Sequence, residues 1–259
     1  MAKVQVDTHE GIGTVTFNDD GHRNALSKAL IDDFIAALHH LRREQVRAVV
    51  IRANPGAKVW SAGHDFRELP TKGADPLAYQ DPLERMLRAV EHFPVPVIAM
   101  IDGSVWGGAF ELVVVCDLAT GTPNASFAIT PAKIGVPYNS TGLMHFINAL
   151  GMHTVKEMFF SARPIDAERA LQVGVLNRLV PANDLERVTY DLARGISANS
   201  PLSISVVKEQ LRILGNAHPL SPETFERIQS LRQAVFDSHD YAEGTRAIRE
   251  KRTPVFTGR

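Results

Sequence analysis

The sequence predicts an α/β fold for residues 1–200 and a helical region for residues 201–259. Short runs of apolar and β-branched residues alternate with longer segments in which apolar residues repeat every three or four positions. This alternation is typical of strands that are covered by helices. After Pro201 the helical repeat continues and no strand-like run appears, so the last part of the chain is expected to be mainly helical.

The first elements are a hairpin, a helix and a strand. The segment "VQVDTHEGIGTVTFND" alternates in two short runs around Glu10 and Gly11, which predicts two strands joined by a tight turn. In "NALSKALIDDFIAALHHL" a leucine or phenylalanine recurs every four residues, which predicts one apolar face of a helix. The β-branched run "RAVVIRA" predicts a buried strand.

The following elements are a connection, a helix, a strand and the C-terminal helices. We interpret "NPGAKVWSAGHDF" as a connection because Gly and Pro interrupt it. "DPLERMLRAVEHF" predicts a helix with Asp81 as its N-cap and Pro82 in its first turn, and "VPVIAMIDG" predicts a strand. Three helices are expected in "SISVVKEQLRIL", "SPETFERIQSLRQAVF" and "DYAEGTRAIREKR", and Ser221 and Asn183 are the expected N-caps of C-terminal helices.

Composition and charge argue against several classes of function. The 28 Lys and Arg residues against 29 Asp and Glu residues give a net charge of -1, which disfavours binding to nucleic acid through bulk charge. No apolar run reaches the roughly 18 residues of a membrane span, and the N-terminus lacks a signal-like segment. The single cysteine, Cys116, cannot form a disulfide within the chain, so we expect a cytoplasmic protein without a membrane partner.

The stretch "SVWGGAFELVVVCD" places two glycines and one carboxylate in an otherwise apolar segment. Gly107 and Gly108 have no Cβ atoms, so the backbone can approach a ligand closely there. A helix that begins near Gly108 would also favour a negative charge at its N-terminus. Close packing of the helix in the core is the alternative explanation for the glycine pair.

Four blocks in this order, "SAGHDF", "DGSVWGGAFELVVVCDL", "GVPYN" and "DYAEGTRAIREKRTPVFTG", resemble the crotonase or enoyl-CoA hydratase/isomerase superfamily. The resemblance runs along nearly the whole chain. It implies a crotonase-like spiral of ββα units in residues 1–200, which holds an acyl-CoA substrate. It also implies that residues 201–259 pack between the subunits of a homotrimer or of a dimer of trimers. No metal and no cofactor other than the substrate's own coenzyme A are expected.

The resemblance assigns the oxyanion hole to the backbone N–H groups of His64 and Gly108. Such donors suit a thioester oxygen that gains negative charge, because they are fixed before the reaction begins. The imidazole of His64 either has no role or shapes the acyl pocket. The other residues of the "AGHDF" block are expected to bind the pantetheine and the thioester: Ala62, Gly63, Asp65 and Phe66.

Glu111 matches one of two glutamates that are catalytic in the family's hydratases. The second falls at Thr130 in an alignment on Pro137 and at Pro131 in an alignment on Gly135, and neither residue is acidic. The paired carboxylates that add water to a double bond are therefore missing, and Thr130 is expected to contact the substrate instead. Glu111 has three interpretations: a proton donor to the enolate, a buried neutral group held by hydrogen bonds, or a structural anchor.

Tyr138 stands where hydratase relatives have a small glycine. It either packs by its ring or donates a hydrogen bond into the acyl pocket. The blocks around it resemble those of family members that decarboxylate a short branched malonyl-type thioester, which favours the second role. A neutral hydroxyl can hold the leaving carboxylate perpendicular to the thioester plane, and the thioester itself accepts the electrons.

These arguments favour a carboxy-lyase with His64, Gly108 and Tyr138 as catalytic residues. A hydratase or isomerase that uses Glu111 alone and a non-catalytic acyl-CoA-binding protein are the alternatives. The resemblance also assigns Lys251, in "EKRTPVF", to a phosphate of coenzyme A near a subunit boundary. The alternative for Lys251 is a solvated basic residue at a helix end.

Overall fold

The structure is a computed structural model that describes residues 2–69 and 75–258. Within these ranges it has ten strands: β1 (Val4–His9), β2 (Ile12–Phe17), β3 (Ala48–Ala53), β4 (Val59–Ser61), β5 (Val97–Ile101), β6 (Ser104–Trp106), β7 (Leu118–Gly121), β8 (Ser126–Ala128), β9 (Ile165–Asp166) and β10 (Arg178–Leu179). The same ranges have ten α-helices: α1 (Lys28–Arg43), α2 (Pro82–Glu91), α3 (Gly108–Val115), α4 (Ser140–Leu150), α5 (Met152–Ser161), α6 (Ala167–Gln172), α7 (Leu185–Ser197), α8 (Pro201–Gly215), α9 (Pro222–Phe236) and α10 (His239–Arg249).

Successive pairs of strands divide between two sheets. The larger sheet has the order β1-β2-β3-β5-β7-β10, and the smaller sheet has the order β4-β6-β8-β9. Each of β3, β5 and β7 therefore lies in the larger sheet, while the strand that follows it lies in the smaller one. The helices α2, α3 and α4 follow these three pairs in turn. This repeated ββα step confirms the predicted α/β spiral.

The central strands of the larger sheet are mostly apolar, in keeping with a sheet that is covered on both faces. The strands β2, β3, β5, β7 and β10 pair in parallel, whereas β1 is antiparallel to β2. One face packs in the main core with α1, α2 and α3, and α7 covers the other face. Every residue of β5 is buried, as expected for a parallel strand between two layers.

The N-terminal predictions are confirmed. The hairpin turn lies at Glu10 and Gly11, where φ is 50° and 74°. Helix α1 follows the predicted apolar face, and its buried residues include Leu30, Phe34 and Leu38. Helix α2 begins as predicted, since the Asp81 carboxylate accepts a hydrogen bond from the N–H of Leu83 at 2.8 Å.

Two predictions about local structure are wrong. The segment that we interpreted as a connection contains β4, a three-residue strand that is too short to show an alternating pattern and is held by pairing with β6. Asn183 is not an N-cap, because a short 3₁₀ turn over Ala182–Asp184 precedes α7. This turn moves the start of the helix to Leu185, and Asp184 occupies the N-cap position.

The three helices expected after Pro201 are present as α8, α9 and α10, and the Ser221 hydroxyl caps α9. Helix α8 has no buried residue. Large apolar side chains are exposed on α8, on α9 and between them: Leu202, Val206, Val207, Leu211, Ile213, Leu214, Leu220, Phe225 and Leu231. In the part of the chain that the structure describes, no helix combines the length and the apolar character that a membrane crossing needs.

Candidate active site

Three loops that carry predicted site residues leave the same edge of the smaller sheet. The strands β4, β6 and β8 pair in parallel, and β6 is the central one. Because the carboxyl ends of parallel strands meet at one edge, the loops that begin at Ala62, Gly107 and Ile129 emerge side by side. The fold thus brings together segments that are far apart in the sequence.

Gly63 sets the distance between the first two loops. Its φ is +77°, a conformation that favours glycine. A Cβ atom on Gly63 would lie 2.2 Å from the carbonyl oxygen of Trp106 and 3.2 Å from the backbone nitrogen of Gly108. Any side chain would therefore push the loops apart. This close approach places the peptide that leads into His64 against the first turn of α3.

The glycine pair has two separate roles. Gly107 has φ 53° and ψ −125°, and its N–H donates to the carbonyl of Ala128 at 2.8 Å, which joins the second loop to the third. Gly108 is the first residue of α3, so its N–H has no acceptor within the helix. A Cβ atom on Gly108 would lie 2.5 Å from Cδ2 of Leu83. The turn thus presents an N–H at a helix N-terminus, where a negative charge is favoured.

Hydrogen bonds to the neighbouring loop fix the backbone around His64. The N–H of Ala62 donates to the carbonyl of Arg23 at 2.9 Å, and the N–H of Leu26 donates to the carbonyl of Gly63 at 2.8 Å. These bonds hold the loop before any ligand binds, which is the condition for an effective oxyanion donor.

The imidazole of His64 lies against a carboxylate. Its Nε2 is 3.5 Å from Oδ1 of Asp81, the N-cap of α2. Burial lowers the pKa of His64, but the hydrogen bond and the charge of Asp81 outweigh this effect and leave the pKa raised. The side chain is therefore held in place by an acidic partner while its backbone N–H stays available.

Glu111 is completely buried, and two side chains hold it: Tyr138, in the turn before α4, and His145, on α4. The hydroxyl of Tyr138 donates to its Oε2, and Nδ1 of His145 lies 2.9 Å from its Oε1. Burial and the charge of Glu111 raise the pKa of Tyr138 well above its usual value. Both carboxylate oxygens thus have a partner, so the interpretation of Glu111 as a hydrogen-bonded buried group matches the observed contacts.

A second buried carboxylate, Glu84 of α2, lies near Glu111. The side-chain amide of Asn139 donates to its Oε1 at 2.5 Å and to the carbonyl of Leu77 at 3.0 Å. Burial and the negative charge of Glu111 raise the pKa of Glu84 to about 7. Asn139 also caps α4, because its Oδ1 accepts from the N–H of Gly142 at 2.6 Å. The α2 carboxylate is thereby fixed to the start of the helix that carries His145.

Most of the predicted site residues line one cavity, here called the acyl cleft. Its wall includes six of them: Ala62, His64, Phe66, Gly108, Thr130 and Tyr138. The remaining wall is apolar, with Leu77, Leu83 and Val136 among its members. Among the described residues that line it there is no aspartate or glutamate, and Glu111 lies behind Tyr138.

A second opening, here called the outer cleft, shares Ala62, Phe66 and Thr130 with the acyl cleft. Two basic residues, Arg23 and Lys133, lie along it. The shared wall residues show that the two cavities are neighbours, one with mainly apolar walls and the other with two cationic side chains. This is the arrangement that a ligand with an acyl group at one end and phosphates at the other requires.

Two predicted substrate contacts, Asp65 and Lys251, are not among the residues that line these two cavities. The carboxylate of Asp65 pairs with Arg67, and this pair lowers the pKa of Asp65. Lys251 is exposed just beyond the end of α10 and has φ 54°. Its role at a phosphate stays a prediction.

Sequence reasoning missed three residues of this region: Glu84, His145 and Lys133. A signal existed for Glu84, which lies among the apolar residues that α2 buries, such as Leu83 and Leu87. His145 similarly interrupts the apolar sequence of α4. An ionisable residue on the buried side of a helix is itself a candidate functional residue.

The fold and the arrangement of the site agree with one protein family. The family model for enoyl-CoA hydratase/isomerase matches residues 7–259, and the chain belongs to this family. Within it, the chain is 48% identical over 255 residues to the methylmalonyl-CoA decarboxylase of Escherichia coli (strain K12), with 98% of each sequence covered.

Solved structures give the same relationship. A methylmalonyl-CoA decarboxylase in complex with 2-nitronate-propionyl-CoA has a TM-score of 0.98 at 47% identity, with 99% of each chain covered. Similarity extends to proteins with other names, such as the carnitinyl-CoA dehydratase of Citrobacter koseri, which is 33% identical over 218 residues and 82% of each sequence.

Proposed function

We propose that the chain is a carboxy-lyase that converts methylmalonyl-CoA into propionyl-CoA and CO₂. The observation that carries this proposal is the close contact between the Gly63 and Gly108 loops beside a cleft that has no acidic lining residue in the part of the chain that the structure describes. The 48% identity to a decarboxylase over nearly the whole chain supports the same reaction.

The reaction needs an acceptor for one electron pair. When the bond between the α-carbon and the carboxylate breaks, its electrons move into the thioester carbonyl and form an enolate. The N–H groups of His64 and Gly108 stabilise the resulting oxyanion, and each donor is typically worth about 3 kcal/mol in the transition state. A proton then adds to the α-carbon. Because the thioester is the electron acceptor, we propose that no further cofactor takes part.

The hydrogen bonds around Tyr138 constrain how it can act. In the observed contact the Tyr138 hydroxyl donates to Oε2 of Glu111, and an ionised Glu111 would keep that proton. With Glu111 protonated, the carboxylic acid donates to the phenol oxygen and the phenol proton is free for the substrate carboxylate. An anionic substrate next to a buried carboxylate favours the second arrangement, since it removes one of two repelling charges. We therefore assign to Tyr138 the orientation of the leaving carboxylate.

The lining residues argue against efficient hydration. Activating a water and returning its proton suits two carboxylates, but the second one would fall at Thr130 or Pro131, and neither of these lining residues is acidic. Glu111 remains as a single carboxylate, which keeps a weak hydratase or isomerase activity as the second candidate function.

The remaining assignments concern the coenzyme and the assembly. Arg23 and Lys133 contact the phosphate end of the substrate, and Lys251 joins them at a subunit boundary. The exposed apolar side chains of α8 and α9 support a homo-oligomer in which these helices pack between subunits. In keeping with the family, this assembly is a trimer or a dimer of trimers, and it acts in the cytoplasm.

Parallel assays with methylmalonyl-CoA and crotonyl-CoA test the proposal. The expected result is CO₂ and propionyl-CoA from the first substrate and little or no hydration of the second. Hydration of crotonyl-CoA without CO₂ release would establish the second candidate function. Tight binding of both thioesters without turnover would establish a non-catalytic acyl-CoA-binding protein.

A further inference from the structure

Glu111 connects two different cavities through its two side-chain partners. On one side, Tyr138 lines the acyl cleft and donates to Oε2. On the other side, Nδ1 of His145 lies 2.9 Å from Oε1. The three side chains therefore form an unbroken chain of hydrogen bonds from the acyl cleft to His145.

His145 itself lines a separate cavity, here called the rear cavity, on the far side of Glu111 from the acyl cleft. Its polar wall includes Glu91, Asp117, His145, Asn148, Lys208 and Asn216. Asn148 and Asn216 are exposed, so the rear cavity reaches the protein surface. Polar groups of this kind hold water, which makes the cavity a route for protons from solvent.

We propose that His145 supplies the proton that converts the enolate into product, acting through Glu111 and Tyr138 and drawing the proton from the rear cavity. This inference rests on the proposed decarboxylation, which consumes one proton per turnover at a cleft whose walls are mostly apolar. Imidazole is suited to the task, because its two nitrogens can take up a proton on one side and release one on the other.

The proton count closes along this chain. The Tyr138 O–H bond breaks as the new C–H bond forms at the α-carbon. The proton on Oε2 of Glu111 passes to the phenol oxygen, which leaves Glu111 as a carboxylate. The proton on Nδ1 of His145 then neutralises Glu111, and a solvent proton from the rear cavity replaces the one that His145 gave up.

The charges around His145 suit this role. Burial lowers the pKa of His145, but the hydrogen bond and charge of Glu111, together with the charges of Glu91 and Glu84, outweigh it and raise the pKa. Of the cations in the rear cavity, Lys208 is held by Asp117 at 2.6 Å, and Arg212 is held by Glu209. A free tyrosinate is disfavoured because the pKa of Tyr138 is raised well above its usual value, so its proton has to be replaced from Glu111 as it leaves.

The experiment measures the reverse of the protonation step, the exchange of the α-protons of propionyl-CoA for deuterium in D₂O. The test variant is His145→Asn, because the Asn side-chain amide can still donate to Glu111 but cannot relay a proton. We expect exchange to fall by about a hundredfold. The kcat/KM for methylmalonyl-CoA, measured on the same variant, should fall much less than exchange does, because release of CO₂ precedes protonation and is effectively irreversible.

Two further variants complete the design. His153→Asn, at an exposed position of α5, is the matched control and should exchange at the unmodified rate. His145→Ala leaves space beside Glu111, and added imidazole should restore exchange there through the rear cavity.

The outcomes separate this inference from the proposed function. If the unmodified protein releases no CO₂ from methylmalonyl-CoA, the proposed function is wrong. If it releases CO₂ but does not exchange α-protons, or if His145→Asn exchanges at the unmodified rate, the relay is wrong. If His145→Asn loses exchange and kcat/KM equally, and if imidazole does not restore exchange in His145→Ala, then His145 only holds Glu111 in place.

Discussion

Replacing Tyr138 by phenylalanine removes one hydroxyl and leaves the ring in place. The Tyr138 ring makes edge contacts with Phe159 and Phe146, with centroid distances of 5.1 and 6.2 Å, and a phenylalanine ring keeps both. The substitution therefore isolates the loss of the hydrogen bond to Glu111 and of the donor that faces the acyl cleft.

The expected magnitude follows from the kind of bond that is lost. A hydrogen bond to a charged group is worth roughly 1.5–3 kcal/mol, so kcat/KM for methylmalonyl-CoA should fall by about one to two powers of ten. Propionyl-CoA has no carboxylate to be oriented, and its Kd should hardly change. Glu111 loses the donor to its Oε2 in a fully buried position, so the free energy of unfolding should fall by about 1–3 kcal/mol.

The assay measures kcat/KM for methylmalonyl-CoA and Kd for propionyl-CoA on the same preparation. Tyr190→Phe is the matched control, because its hydroxyl forms a hydrogen bond with Thr14 at 2.7 Å on the opposite side of the larger sheet. Unchanged kcat/KM for Tyr138→Phe would refute the orienting role. Equal weakening of propionyl-CoA binding would show that Tyr138 only packs the cleft.

Three other substitutions test the rest of the site. Gly63→Ala should lower kcat by about a hundredfold to a thousandfold, because the added Cβ would separate the two oxyanion donors. Normal steady-state turnover in a variant with a native circular dichroism spectrum would contradict this prediction. Lys251→Ala should raise KM more than it lowers kcat if Lys251 binds a phosphate, whereas Lys156→Ala, on the exposed side of α5, should change neither. Burial and the charge of Glu111 raise the pKa of Glu84 to about 7 in the folded state, whereas the unfolded chain releases this proton at about pH 4.3. The free energy of unfolding therefore falls as the pH rises between these two values, and it stays lower above them. Glu84→Gln should remove this loss and raise Tm at pH 8 by on the order of 5 °C relative to the unmodified protein, and an identical pH dependence of Tm in both proteins would refute the assignment.

Elements with a local signal could be predicted from the sequence. The hairpin at Glu10–Gly11 and the start of α2 at Asp81 depend on turn and capping chemistry within a few residues. The strands β4, β6 and β8 have three residues each, and they exist because they pair with one another across the chain. No local pattern predicts such strands, although they are the elements that assemble the site.

The same division applies to the site. His64 and Gly108 could be assigned from the sequence because the short motifs that contain them resemble those of a known family. The contact of Glu111 with His145, by contrast, depends on how α4 packs on α3, and the contact of Glu84 with Asn139 depends on how α2 meets the start of α4. Residue types and spacing show that these groups are ionisable or polar, but only the packing of helices shows that they meet.

The distribution of charge around the acyl cleft links the missing carboxylate to the choice of substrate. Two unit charges of like sign 4 Å apart repel by about 4 kcal/mol at an effective dielectric constant of 20. A second glutamate at Thr130 would place such a charge in the wall of the cleft, where it would oppose a malonyl-type carboxylate. The remaining carboxylate, Glu111, lies behind Tyr138 and is paired with His145. The loss of one acidic residue therefore removes the group that hydration requires and, by the same change, makes the cleft compatible with an anionic acyl chain.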